Sequence, residues 1–134
     1  MATVTKTMKT TASPEKAWDA VSDWGSPHLR LVPGFAIASV AEPDARIVTF
    51  ANGKTIREPI VTVDPHERRL VWSSEGGLTT HYNASLQVQP APEGGSQLTW
   101  IADFLPESAA PALESAMSAG IAAMKTALDK TAGS

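Results

Sequence analysis

The chain has 134 residues, a length suited to one domain. Hydrophobic residues make up 43% and charged residues 19%, which is enough apolar material for a core and too little charge for a disordered chain. The net charge of -3 without a basic block argues against nucleic-acid or anionic-membrane binding, and the absence of cysteine excludes a disulfide framework, a thiolate metal site and a cysteine nucleophile. A cysteine-free chain fits a reducing compartment. The first ten residues hold no apolar stretch of the signal-peptide kind, and nowhere do about 18 apolar residues run together. The expectation is a cytoplasmic protein without a membrane span.

Residues 2 to 10 alternate, with Val4, Lys6 and Met8 on one parity and threonines on the other, as in a strand. Ser13-Pro14-Glu15 then reads as a helix start. Serine caps the free amides, proline fits the first helical position, and glutamate suits the positive end of the dipole. Ala17, Val21 and Trp24 recur at helical spacing, so a helix is expected over 14 to 24. A short helix or turn holds His28 to Leu31 before Pro33-Gly34.

From Phe35 to Phe104 the chain reads as strands. Asn52-Gly53 between apolar stretches signals a tight hairpin with a two-residue turn. Tyr82, Ala84, Leu86 and Val88 alternate cleanly with His81, Asn83, Ser85 and Gln87. Leu98, Trp100, Ala102 and Phe104 alternate with Gln97, Thr99, Ile101 and Asp103. In the alanine-rich tail, Leu113, Met117, Ile121, Met124 and Leu128 form one helical stripe, which predicts a helix over 109 to 130. A sheet with a bare apolar face needs a cover, and only this helix is large enough. The predicted fold is α+β: a curved antiparallel sheet of about seven strands wrapped around a long C-terminal helix, with one or two short helices after strand 1. Residues 1 to 134 read as a single domain.

Several stretches in this order carry a family likeness. They are Ala12-Ser13-Pro14-Glu15-Lys16-Ala17-Trp18; Asp23-Trp24-Gly25 with Leu31-Val32-Pro33-Gly34; and Ala45-Arg46 through Asn52-Gly53 to Ile56-Arg57-Glu58. Further along come Asp64-Pro65 with Arg68-Arg69-Leu70; His81 to Leu86; and Thr99-Trp100 with Asp103-Phe104-Leu105-Pro106. Together they resemble the START-like helix-grip superfamily, in its polyketide cyclase/dehydrase and lipid-transport (SRPBCC) branch. That group is related to plant pathogenesis-related allergens and abscisic-acid receptors. The resemblance implies a cavity between the sheet and the last helix that takes a sterol, polyketide, hormone or fatty molecule. Ala116, Ala119, Gly120 and Ala123 on the closing helix would leave volume for it, or would let the helix pack close to the sheet.

In the hormone-receptor relatives the glutamate at the hairpin motif faces the cavity and binds ligand through water, which points to Glu58. The residues leave the matter open. A two-residue turn places Glu58 with Ile47, Thr49, Ile56 and Ile60, and places Arg46, Val48, Phe50, Arg57, Val61 and Val63 opposite. Both faces are partly apolar, and the two arginines make the second the solvent side. Inside, an unpaired Glu58 carboxylate could act as an acid or base. Outside, it would reach solvent or pair with an arginine. Tyr82 lies on the apolar parity of its strand, so its hydroxyl needs a partner within, either a ligand or a core group. Trp72, Trp100, Met117, Gly120, Ile121 and Met124 complete the expected lining. His81 is expected outside, His66 in a solvated turn, and His28 in a loop near the mouth. Gly25-Ser26-Pro27 and Gly76-Gly77-Leu78 are loops that could gate the cavity. The three histidines have no metal-site spacing, and no nucleotide-binding fingerprint is present, so neither metal nor cofactor is expected.

Three functions compete. The first is binding or carriage of one small hydrophobic ligand in the cavity, by a monomer or homodimer. The second is cyclase/dehydrase-type catalysis without metal or nucleotide, with Glu58 as the acid or base. The third is a protein-interaction module, for which the chain shows no obvious exposed patch.

Overall fold

The computed structural model describes residues 1–133; Ser134 of the expected domain lies outside the described residues. The chain runs β1 (Ala2–Thr10), α1 (Pro14–Ser22), α2 (Pro27–Arg30), β2 (Ala36–Ala41), β3 (Ala45–Phe50), β4 (Thr55–Asp64), β5 (Arg69–Ser73), β6 (His81–Pro90), β7 (Ser96–Leu105), a 3-10 turn (Glu107–Ala109) and α3 (Ala110–Ala132). The seven strands form one antiparallel sheet in the order β1-β7-β6-β5-β4-β3-β2. The connection through α1 and α2 therefore carries the chain from one edge of the sheet to the other. Register shifts at Ala36/Ala38 and Ile60/Thr62 add local bends that help the sheet curve. This is the helix-grip architecture expected from the sequence.

The first helix starts where the sequence places it. The Ser13 hydroxyl accepts from the Lys16 amide (3.2 Å), and Pro14 opens the first turn. It ends two residues earlier than expected, at Ser22. Trp24 lies beyond it, and Arg30 folds back to close the end, donating to Asp19 (2.6 Å) and Asp23 (3.3 Å).

The inner face of β6 and β7 carries Ala84, Leu86, Val88, Leu98, Trp100, Ala102 and Phe104, all buried, as their alternation predicts. α3 lies on β1 and against α1, with Met117, Met124 and Leu128 in the core. Its buried stripe passes through Gly120, while Ile121 is only half-buried. The closed core thus occupies the half of the sheet around β1, β7 and β6. The β3–β4 half curls away and encloses the site described next.

Candidate functional site

The hairpin between β3 and β4 decides what this half of the sheet presents. The expected two-residue turn is wrong. The Phe50 amide donates to the Lys54 carbonyl (2.9 Å) and the Gly53 amide to the Phe50 carbonyl (2.9 Å), so the loop is the three residues Ala51-Asn52-Gly53. Gly53 has φ of 86°, the left-handed residue that a three-residue loop requires. The extra residue shifts every pair by one, so Thr49 faces Thr55, Val48 faces Ile56 and Arg46 faces Glu58. Side chains have a period of two in a strand, so this shift changes which β3 residues share a face with Glu58.

Glu58 therefore points inward together with Arg46, Val48 and Phe50. Arg46, expected on the solvent side, is 5% exposed, and Glu58 is 8% exposed. The Arg46 Nε–H donates to Glu58 Oε1 at 2.7 Å, and Nη1 donates to the Trp24 carbonyl at 3.1 Å. The guanidinium carbon lies 5.2 Å from the centre of the Trp72 ring, within cation–π range. A buried charge persists only when paired and hydrogen-bonded, and this arrangement meets both conditions. Glu58 is thus an ion-paired carboxylate, not the unpaired one weighed from the sequence. Arg57 does face outward, where it bonds Glu42 (2.8 Å) and Glu75 (2.9 Å) and ties the β5–β6 segment to β4.

Between the sheet and α3 lies a cavity of about 620 Å³. One end holds Arg46, Glu58, Trp72, Tyr82 and Trp100. The mouth is bounded by exposed lining residues: Ala51 and Asn52 of the hairpin, Gly76 to Leu78, and Ala112 and Ser115 of α3. Val48, Phe50, Leu31, Leu86, Met117 and Met124 make much of the wall apolar. The Trp72 and Trp100 ring centres are 6.3 Å apart and tilted by 42°.

Of the residues expected to line the cavity, Glu58, Tyr82, Trp72, Trp100, Met117 and Met124 do so. Gly120 and Ile121 do not, and the reason for Gly120 is steric. A Cβ there would stand 2.8 Å from Cζ3 of Trp100 and 3.3 Å from Cε2 of Phe35, so the missing side chain makes room for Trp100, not for open volume. Ala116 and Ala119 do face the cavity, while Ala123 packs against the core. Gly76-Gly77-Leu78 and Pro27 border the cavity; Gly25 and Ser26 do not. His81 and His66 are exposed. His28 sits in α2, away from the lining, with Nδ1 buried and without a partner. Among the described residues no group of three His, Asp or Glu side chains could hold a metal ion, and no helix is long and apolar enough to cross a membrane.

Two polar groups at the closed end stand out. Burial, and then the negative charge of Glu58, push the Tyr82 phenol well above its ordinary range, while the Trp100 N–H and the Arg46 charge pull the other way. The Trp100 Nε1–H is buried beside the Tyr82 hydroxyl, its side-chain neighbour there, short of full hydrogen-bonding geometry. The residues that sequence reasoning missed are Arg46 and Trp24. Arg46 shares its parity with Val48 and Phe50, and that apolar company was the available signal.

The sequence profile of the family described as polyketide cyclase/dehydrase and lipid transport matches residues 1–132. The chain belongs to this family. Solved structures of similar proteins agree with the fold. XoxI from Bacillus cereus is 25% identical, with 96% of each chain covered and a TM-score of 0.85. A START superfamily protein from Mycobacterium smegmatis is 16% identical, covering 98% of this chain and 97% of that one, with a TM-score of 0.71. Norcoclaurine synthase from Thalictrum flavum is 20% identical, covering 96% and 84%, with a TM-score of 0.71. No curated protein matches the chain by sequence. Within the polyketide cyclase/dehydrase and lipid-transport family the fold is common to different activities, so the function of this member must be argued from its own cavity.

Proposed function

We propose that the protein binds one small, mainly apolar molecule in the cavity between the sheet and α3. The observation that carries this reading is the cavity itself, about 620 Å³ with apolar walls and a few polar groups gathered at one end. That volume lies within the range of small-molecule sites, roughly 300–1,000 Å³. Glu58, Tyr82, Trp72, Trp100, Met117 and Met124 are the contacts we assign to the ligand. The cysteine-free, mildly acidic composition supports action in a reducing, cytoplasmic setting without nucleic acid.

Titration with the neutral dye N-phenyl-1-naphthylamine tests the reading. Saturable, one-to-one fluorescence enhancement is expected. Ala116→Phe, which adds a ring at the lining, should weaken it by tenfold or more, a loss of about 1.4 kcal/mol or more. Folded protein that gives no saturable binding would sink the proposal.

A second reading is catalytic. Glu58 and Tyr82 share the closed end of the cavity, and Arg46 engages Glu58 Oε1, leaving Oε2 to exchange a proton with a substrate. Norcoclaurine synthase, an enzyme by name, has the same fold. Glu58→Gln that keeps ligand binding but abolishes turnover of a bound substrate would favour this reading; retained turnover would remove Glu58 from it.

A further inference from the structure

We infer that the molecule taken by this cavity is an amphipathic anion, lying with its apolar body inward and its charged group, such as a carboxylate, at the mouth against the Lys54 ammonium. The inference rests on the binding role proposed above and specifies the ligand and its direction. It starts from the charges along the lining. Three lining residues are charged: Arg46, Glu58 and Lys54. Arg46 and Glu58 neutralise each other at 2.7 Å at the closed end. Glu58 is the sole carboxylate of the lining among the described residues, so the Lys54 charge stands unmatched at the cavity of a chain whose net charge is -3.

The hairpin sets the position of Lys54. Its carbonyl accepts from the Phe50 amide (2.9 Å), and its own amide donates to Asn52 Oδ1 (3.0 Å). It continues the parity of Ile56 and Glu58, so its side chain leaves the backbone on the cavity side, at the exposed mouth. Lys6, Lys9, Arg30, Arg57, Arg68 and Lys125 each meet a carboxylate elsewhere on the molecule. The Lys54 ammonium meets none among the described residues. Glu75, the acid next to the Gly76–Leu78 rim, is held by Arg57 at 2.9 Å.

The two ends of the cavity therefore suit different parts of one molecule. A carboxylate carried to the closed end would meet Glu58 while Arg46 is already paired, and burying it there without a cation is costly. At the mouth the same group keeps part of its hydration and gains the ammonium. Asn52 and Ser115, both exposed on the rim, add neutral groups able to donate to it. Between the ends, Val48, Phe50, Leu86 and Met117 offer an apolar wall to the body of the ligand. The distribution of charge thus gives the cavity a direction, with hydrocarbon inside and the anion outermost.

Three probes that share one ring system and differ in charge test this: 1-naphthaleneacetate, 1-naphthaleneacetamide and 2-(1-naphthyl)ethylammonium. Their affinities are read from displacement of N-phenyl-1-naphthylamine at neutral pH and low salt, for the wild type, Lys54→Met and Lys54→Glu. The Lys54 side chain is exposed, so both variants should keep the wild-type melting temperature. The acetate is expected to lose about two- to fivefold in Lys54→Met, the range of one exposed ion pair, and at least about fivefold in Lys54→Glu, while the amide stays within about 1.5-fold. The ammonium probe should gain affinity in Lys54→Glu. Raising the salt to about 0.5 M should weaken the acetate on the wild type and not the amide. Ala116→Phe should weaken the acetate as it weakens the dye, which locates the acetate in the cavity. If the ratio of acetate to amide affinity is the same in the wild type and both Lys54 variants, or Ala116→Phe leaves the acetate unchanged, the inference is wrong while cavity binding stands. If neither the dye nor any probe binds saturably, both fall.

Discussion

The Arg46–Glu58 pair yields the sharpest stability test. Arg46→Met removes the 2.7 Å bond to Glu58, the 3.1 Å bond to the Trp24 carbonyl and the cation over Trp72, and it leaves a carboxylate buried alone. Breaking a buried pair this way costs roughly 3–5 kcal/mol, and because Glu58 borders the cavity, where solvent can reach it, we expect the low end, about 3 kcal/mol. Glu58→Leu should cost less, about 2 kcal/mol, because the stranded guanidinium keeps the Trp24 carbonyl and the Trp72 face. At roughly 3–5 °C per kcal/mol for a chain of this size, Arg46→Met lowers the melting temperature by about 10–15 °C. The double variant Arg46→Met/Glu58→Leu leaves no lone charge, only a carbonyl that has lost a donor. It should cost about 2 kcal/mol, so the cycle shows a coupling of about 3 kcal/mol. Urea unfolding of the four proteins measures this, with the m-value as a check that the unfolding remains comparable. A coupling below about 0.5 kcal/mol, or an Arg46→Met cost under about 1 kcal/mol, would refute the buried, paired geometry.

Tyr82 is the single tyrosine, so the tyrosinate absorbance of the folded protein reports it alone. Its folded ionisation is raised, so the unfolded phenol gives up its proton first, near pH 10, and stability falls as pH rises beyond that point. Ionisation of the folded protein with a midpoint near 10 would contradict the enclosed hydroxyl. Gly120→Ala gains about 1 kcal/mol of helix propensity but overpacks against Trp100 and Phe35 by about 1–3 kcal/mol, so we expect a net loss near 1 kcal/mol and altered tryptophan fluorescence. A higher melting temperature would show that Trp100 has slack. The Asp129 carboxyl is held below its ordinary range by the Thr10 hydroxyl (2.6 Å), helped by the Thr11 amide (3.1 Å) and Lys125, against partial desolvation. A depressed folded value adds stability above the unfolded value and loses it as pH falls through the folded one. Asp129→Asn should therefore be less stable at neutral pH, with the gap in urea midpoints closing below about pH 4. A gap that does not change with pH would remove the carboxylate from the account.

What the sequence revealed and what it hid follow from how each element is buried. β6 and β7 have one buried face, so strict alternation from Tyr82 to Val88 and from Leu98 to Phe104 disclosed both the strands and their inner side chains. Ser13-Pro14 disclosed the start of α1 because capping is local. β3 and β4 gave no such signal, since isoleucine, valine and threonine lie on both faces. Their orientation rested on the turn, and Asn-Gly fits both a two-residue loop and the last two positions of a three-residue loop. Taking the shorter loop kept Glu58 in place but put Arg46 on the opposite face. An arginine on an inner face reads as an error until its partner is seen, and the partner appears only in the correct register.

The small residues of α3 illustrate the same dependence on context. Alanine and glycine along one helix face mark positions open to close approach, but they do not say what approaches. At Gly120 it is Trp100, which fills the space. At Ala116 and Ala119 it is the cavity. The two outcomes are linked. Because Gly120 admits Trp100, the indole stands fixed beside Trp72, and these two rings with the Arg46–Glu58 pair form one rigid end of the cavity. Aromatic side chains have few torsions to collapse inward, and the ion pair resists being covered by hydrocarbon. A pocket with such an end is ordered before a ligand arrives, so binding need not supply the ordering cost that a soft apolar core would demand.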